Sequence, residues 1–312
     1  MNSNDHKRTV PNFFIVGGPK CGTTSLSEYL KQHPNIFFSH PKEPHFWASD
    51  LPRTKRIEKF ADYKKLFSGV EPEHVAAGEG SVWSLYSEVA LPKIRDFNPD
   101  AKLIVMIRNP VVVVQSLHSF WYSISMEDQS DFEKAWELQE RRSTGEALPK
   151  MSKVRALYQY SEIAKFGKQL ERAFKIFPES QVKIIFFEDL TNDTERVYNE
   201  VLDFLEVPRA SSTIDFGVHN ENQVYRSRIL AKFVRRVPTL LEPLIVGFKR
   251  VTGIKNLYIG HIVKEWEKSI NTKPGRRKKI DEAMKKKLID EFEEDILQLQ
   301  KLTGRDLSHW LS

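Results

Sequence analysis

Lys20 stands inside a glycine-framed run, Gly17-Gly18-Pro19-Lys20-Cys21-Gly22-Thr23-Thr24-Ser25-Leu26. The apolar residues Phe13-Phe14-Ile15-Val16 precede it and read as a buried strand, while Leu26, Tyr29 and Leu30 follow at the spacing of one helix face. A strand that turns through glycines into a helix start aims free backbone N–H groups and the positive end of the helix dipole at one point. Such a turn holds an anion, and Lys20 adds a cation to it. A second anion site is expected at Arg108-Asn109-Pro110, where the apolar run Lys102–Ile107 ends, with Ser116 about two turns into the next helix. A guanidinium there can grip a phosphate through paired hydrogen bonds, and Ser116 can add a hydroxyl donor. Ligands of open α/β sheets bind beyond the carboxyl ends of the strands. Two anion sites at neighbouring strand ends therefore imply one ligand with two separated phosphate groups.

The position of the lysine narrows the ligand. A nucleoside-triphosphate loop reads G-x-x-x-x-G-K-[ST], with its lysine directly after the second glycine. Here Gly17 and Gly22 keep the glycine spacing, but position 23 is Thr and the lysine stands at 20. A kinase or NTPase would also end a buried strand in an acidic magnesium ligand, and the central run ends in Arg108 instead. Cys21 has two readings: a thiol activated by the helix start and Lys20, or a small residue that lets the loop close. No motif supplies a base partner, which favours the second.

These residues need a scaffold that brings strand ends together. Strands are expected at Asn12–Val16, Ile36–Phe38, His74–Gly80, Lys102–Ile107 and Val182–Phe187. Helices are expected over Gly22–His33, Glu88–Phe97, from Pro110, over 131–142 and 151–177, through Leu205, and over 281–303, with part of 50–72 helical. In 151–177, Ile163, Phe166, Leu170, Phe174 and Phe177 mark one face. The alternation predicts an α/β, P-loop-like three-layer fold with a central parallel β-sheet flanked by helices. Its 312 residues are expected to form a single domain, with residues 1–11 as a flexible tail and 221–272 as a helical insertion or lid on the acceptor side.

Hydrophobic content of 40% and charged content of 29% suit a globular enzyme. The net charge of +6 favours anionic ligands without the concentration that nucleic-acid binding needs. One cysteine excludes an intrachain disulfide and a cysteine-rich metal site. No apolar leader and no run long enough to span a bilayer are visible, so the expected location is cytoplasmic. Nothing in the sequence sets an oligomeric state.

Taken together, Pro19–Leu26 resembles the 5′-phosphosulfate loop of sulfotransferases that use 3′-phosphoadenosine-5′-phosphosulfate (PAPS), and Arg108-Asn109-Pro110 with Ser116 resembles their 3′-phosphate motif. Pro41-Lys42-Glu43-Pro44-His45-Phe46-Trp47 is similar to the K-E-P-H-F-F segment of the heparan sulfate sulfotransferase-like branch and its bacterial relatives. Phe186-Phe187-Glu188-Asp189-Leu190, Val201–Val207 and Gly304–Trp310 resemble later family segments. The likeness covers roughly 12–217 and 273–311.

The resemblance implies PAPS as sulfuryl donor, 3′-phosphoadenosine-5′-phosphate (PAP) as product, and no metal. It implies that Lys20 steadies the leaving phosphate, that the backbone of Cys21, Gly22, Thr23, Thr24 and Ser25 holds the 5′-phosphate, and that Arg108 and Ser116 hold the 3′-phosphate. It makes Glu43 the general base, with His45 supporting it or touching the acceptor. Arg276 and Arg277 stand where the family places a late loop over the nucleotide, with Arg226 and Arg228 as competitors. One departure stands out. Where the heparan enzymes carry a lysine in E-K-T-P-x-Y, this chain has Gly80 in Glu79-Gly80-Ser81. The acceptor is therefore left as a hydroxyl of a carbohydrate, lipid or small alcohol, with anionic and lipid-linked forms open. The aromatics Phe46, Trp47, Trp83, Tyr86 and Tyr122 suit any of these. The competing reading outside enzymology is an anion-binding membrane-surface module that uses the basic 226–250 stretch.

Overall fold

A computed structural model describes residues 11–51, 57–151, 154–210, 213–217 and 280–312, together with the backbone of 223–225 and 272–274. The expected insertion at 221–272 therefore lies almost wholly outside the described residues, as do Arg226, Arg228, Arg276 and Arg277. The chain divides into two compact units. One holds residues up to Ser116, Val154–His219 and Ile280–Ser312. The other holds Leu117–Lys153 and Asn220–Lys279.

The first unit is built on five parallel strands: β1 (Phe13–Gly17), β2 (Ile36–Phe38), β3 (Ala76–Glu79), β4 (Lys102–Ile107) and β5 (Val182–Phe186), in the order β2-β3-β1-β4-β5. All five lie where the sequence pattern places them, and helices flank the sheet. Parallel strands covered on both faces must be apolar throughout, and β1 is buried at every position. β3 reads Ala-Ala-Gly-Glu, a poor strand sequence by propensity. Its small residues make room for neighbouring rings: a Cβ on Gly78 would fall 2.2 Å from Cζ of Phe13.

The chain runs from β1 through α1 (Thr23–Leu30) outward to β2 and returns to β3. It crosses β1 to reach β4, then continues in the opposite direction to β5. The order reverses between β1 and β4, and there the connecting chains part to opposite sides and leave a crevice. Across it, Gly18 N–H donates to the Met106 carbonyl at 2.6 Å.

Two expected helices are broken. Residues 151–177 form a 3-10 turn at Arg155–Tyr158 and two helices, Tyr160–Ala164 and Phe166–Ile176. The Asp295 carboxylate accepts from Gly167 N–H and Lys168 N–H, both at 2.9 Å, and so starts the last helix afresh. The restart changes its inner face to Phe166, Leu170, Ala173 and Phe177, with Phe174 only half-buried. Asp295 belongs to the long helix Glu282–Thr303, whose Leu288, Phe292, Ile296 and Leu299 are buried as the periodicity predicts.

In the second unit, 131–142 is interrupted at Leu138, giving Phe132–Glu137 and Gln139–Thr144. Arg142 and Glu127, both fully buried, form a paired contact at 2.7 and 2.8 Å, while Asp128 N–H and Gln129 N–H also donate to Glu127. That saturates the carboxylate, as a buried charge requires.

Candidate active site

The anion loop is assembled from the end of β1. Val16 is an extra residue against β4, so the register shifts between Ile15 and Gly17 and the strand end turns away from its neighbour. The Val16 carbonyl accepts from Leu85 N–H at 2.7 Å, which fixes the bend. Gly22 stands before α1 at φ 87°, a left-handed conformation that favours glycine. A Cβ there would also fall 2.8 Å from the Phe187 ring. With glycine at this position no side chain caps α1, and its first N–H groups face the loop. Lys20 is itself left-handed at φ 66°. Such a backbone costs about 1–2 kcal/mol in a residue with a Cβ, and such strain gathers at working sites.

Arg108 leaves the end of β4 and donates to the Lys20 carbonyl at 3.3 Å. The guanidinium also lies over the Phe187 ring, 4.1 Å from its centroid. The two anion elements read from the sequence are thus in direct contact at the β1/β4 crevice. Ser116 lies in α4 (Pro110–Ser123; α2 and α3 are Phe60–Lys65 and Ala90–Phe97) and is buried.

The loop after β2 supplies a second cluster. Lys42 Nζ donates to Thr23 Oγ1 at 3.2 Å and to Glu43 Oε1 at 3.1 Å. His45 Nε2 stands 3.1 Å from Glu43 Oε2. Burial alone would raise the Glu43 carboxyl, but Lys42 and His45 override it and bring it down to about 2. His45 is buried and left-handed at φ 51°, its N–H donates to Ser81 Oγ at 2.9 Å, and its Nδ1 has no partner among the described residues. Glu79, at the end of β3, is 1% exposed. Its Oε2 accepts from Ser81 N–H at 2.8 Å, and its Oε1 has no partner among the described residues. Burial pushes this carboxyl up to about 7 against the Ser81 hydrogen bonds. The Glu43 charge adds to the rise and Lys42 opposes it.

The sulfotransferase domain model matches residues 10–231. The chain belongs to the sulfotransferase domain family, whose members are transferases. Carbohydrate sulfotransferase 15 of Mus musculus is 29% identical over an alignment of 171 residues that covers 42% of this chain and 30% of that protein. Heparan sulfate glucosamine 3-O-sulfotransferase 6 of Homo sapiens is 27% identical over 209 residues, 67% of this chain and 56% of the relative. The match thus spans under a third of the first relative's length and just over half of the second's. A sulfotransferase crystal structure from Alicyclobacillus acidocaldarius is similar along nearly the whole chain, with a TM-score of 0.70 at 25% identity, covering 97% of this chain and 99% of that one.

Within the sulfotransferase domain, the structure decides between the two readings of Cys21 and changes that of two tryptophans. The reactive-thiol reading of Cys21 fails. The residue is fully buried, and burial pushes the thiol up to about 12 despite Arg108 and Lys20. It stays protonated and fills the space inside the loop. Trp47 and Trp83 are also buried, Trp47 donating to the Tyr63 hydroxyl at 2.9 Å. They support the neighbouring loops, which leaves the half-buried Phe46 and Tyr86 of this unit as aromatics open to a ligand. Three polar residues escaped the sequence reading as site members: Lys42, Glu79 and Ser81. They lie inside segments quoted for the resemblance, but a linear pattern gives them no role, because their significance lies in contacts between the ends of different strands. Phe187 was legible only as part of a motif, and its stacking with Arg108 needs the fold.

Proposed function

We propose that the domain moves a sulfuryl group from PAPS to an acceptor hydroxyl and releases PAP. The observation that carries this reading is the Arg108–Lys20 contact. It joins two anion-binding elements at one sheet crevice, as a ligand with separated phosphates requires. The uncapped start of α1 and the half-buried Arg108 guanidinium fit two such groups.

In this reading the N–H groups of Cys21 to Ser25 receive the 5′-phosphate, and Arg108 with Ser116 receives the 3′-phosphate. The acceptor oxygen–sulfur bond forms while the sulfur–oxygen bond to the phosphate breaks. The electron pair departs with the phosphate oxygen, which Lys20 steadies. The acceptor proton passes to Glu43. That carboxylate is ionised throughout the neutral range, with its charge balanced by Lys42 and His45. Positioning and charge stabilisation carry most of such an in-line transfer. The relatives' names make a carbohydrate hydroxyl the first acceptor to try.

The test is turnover of ³⁵S-labelled PAPS over a panel of sugars, lipids and alcohols, with PAP binding followed by calorimetry. Label transfer that persists in EDTA is expected. Phosphoryl transfer from ATP that needs Mg²⁺ would replace this reading by the kinase one. Vesicle binding without PAP binding would replace it by the membrane-surface one.

A further inference from the structure

The Lys42 ammonium touches both clusters of the site. It donates to Thr23 Oγ1 in the first turn of α1 and to Glu43 Oε1 in the loop after β2. Its side chain is 13% exposed, so the charge is held largely out of water, where its field is screened least. An ammonium carries three N–H donors. Among the described residues it uses two, and the third is left for a ligand. The strand ends are shaped to seat it. Its stem lies over Gly80, where an added Cβ would fall 3.1 Å from Cε and 3.4 Å from Cγ of Lys42. Gly80 N–H also donates to the Lys42 carbonyl at 2.9 Å. A side chain at the end of β3 would press on the Lys42 stem that carries the ammonium between Thr23 and Glu43.

We infer that Lys42 is a second catalytic cation, which contacts the sulfuryl oxygens as the group crosses from the anion loop to the acceptor oxygen beside Glu43, and that Gly80 is kept without a side chain so that Lys42 can reach them. The inference rests on the proposed PAPS reading. Lys20 meets charge developing on the leaving phosphate oxygen, while Lys42 meets charge on the group in flight. The same contact explains a tension in the free protein. A carboxylate held near 2 is a weak base, and Lys42 is the first cation holding it there. When the ammonium turns from Glu43 to the sulfuryl oxygens, the carboxylate is released to take the acceptor proton. The step thus couples bond formation at sulfur to an increase in the basicity of Glu43.

The deciding experiment compares wild type, Lys42→Met, Lys42→Arg and Gly80→Ala. Turnover is measured with PAPS, PAP affinity by calorimetry and folding by thermal melting. Lys42→Met keeps the stem over Gly80 and removes only the charge. Its kcat is expected to fall about 100- to 1000-fold with PAP affinity within about threefold, since PAP lacks the sulfuryl group. Lys42→Arg should restore part of the loss. Gly80→Ala should lower kcat about tenfold by displacing the ammonium, which supplies a second route if Lys42→Met does not fold. The acid limb of the kcat/KM pH profile should move upward in Lys42→Met, because Glu43 loses its nearest cation. A purely structural ion pair would lower the melting temperature and leave kcat and the profile in place. Near-normal kcat in folded Lys42→Met, or in folded Gly80→Ala if the former does not fold, overturns the inference alone. Wild-type protein that binds no PAP overturns both the inference and the reading beneath it.

Discussion

The two halves of the site are made from different material. The anion loop is backbone: glycines, a helix start and a carbonyl held by Arg108. The cluster opposite is side chains: Lys42, Glu43, His45, Glu79 and Ser81. Two carboxylates in that second half show what the difference means. Glu43 and Glu79 both follow strand ends and act on each other electrostatically, yet Glu43 is drawn down to about 2 and Glu79 is pushed up to about 7. Glu43 has two basic partners, whereas Glu79 is held by Ser81 alone among the described residues and keeps one oxygen without a partner there. Backbone geometry fixes what the loop binds, while neighbours decide what each acid does.

The largest effect expected from breaking this contrast is at Lys20, the charged side chain carried by the anion loop itself. Lys20→Ala should reduce turnover about 1000-fold while the thermal melt stays close to wild type, because a half-buried loop lysine contributes little to the core. A variant that keeps near-normal turnover would shift the leaving-group role to Arg108 or Lys42. On the side-chain half, Glu43→Gln should lose about 100-fold or more in turnover and keep PAP affinity within about twofold. If PAP binding falls in step with turnover, Glu43 is organising the anion loop through Lys42 and Thr23, and its assignment as the base fails.

The carboxylate pair also makes a prediction about stability. Between about 4.5 and about 7 the folded protein keeps a proton on Glu79 that the unfolded chain has released. Stability therefore falls as pH rises through this window and levels off above it. Glu43 acts in the opposite sense. Its contribution is complete above about 4.5 and is lost as pH falls toward 2. Groups facing Glu79 are Glu43 and Lys42 from the loop after β2, Ser81 from its own connection, and Tyr63 from α2. Urea unfolding across pH should show Glu79→Gln removing the decline between 4.5 and 7, with a gain on the order of 3 kcal/mol at pH 8. An unchanged slope would mean that another group carries the decline. Glu43→Gln should flatten only the limb below 4.5.

This asymmetry also decides what could be read from sequence. The loop and the strand positions were legible because glycine spacing and apolar runs are local signals, as at Gly17, Gly22 and Lys102–Ile107. Lys42 was not, since its partners Thr23 and Glu43 and its seat at Gly80 come from three strand ends. Gly80 shows the limit most clearly. In the sequence it marks a missing lysine, and in the fold it is the space through which a lysine from another loop passes. The helix break at Phe166 was equally hidden, because its cap, Asp295, lies far along the chain.

The smallest effect should come from Phe187, where an apolar side chain enters the backbone half. Its ring lies under the Arg108 guanidinium and against Gly22, so it both orients the cation and closes the loop from below. Phe187→Leu keeps most of the apolar volume and removes the ring face. A cation over an aromatic face contributes about 0.5–1 kcal/mol at exposed sites and more when desolvated, and Arg108 is half-buried. PAP affinity should weaken about three- to tenfold, while kcat at saturating PAPS stays within twofold, because the ring is assigned to binding alone. Calorimetry with PAP and saturation kinetics on the same preparation separate the two quantities. A fall in kcat with affinity intact would instead place Phe187 among the groups that align the phosphosulfate through Gly22, extending side-chain control into the half of the site that the backbone otherwise defines.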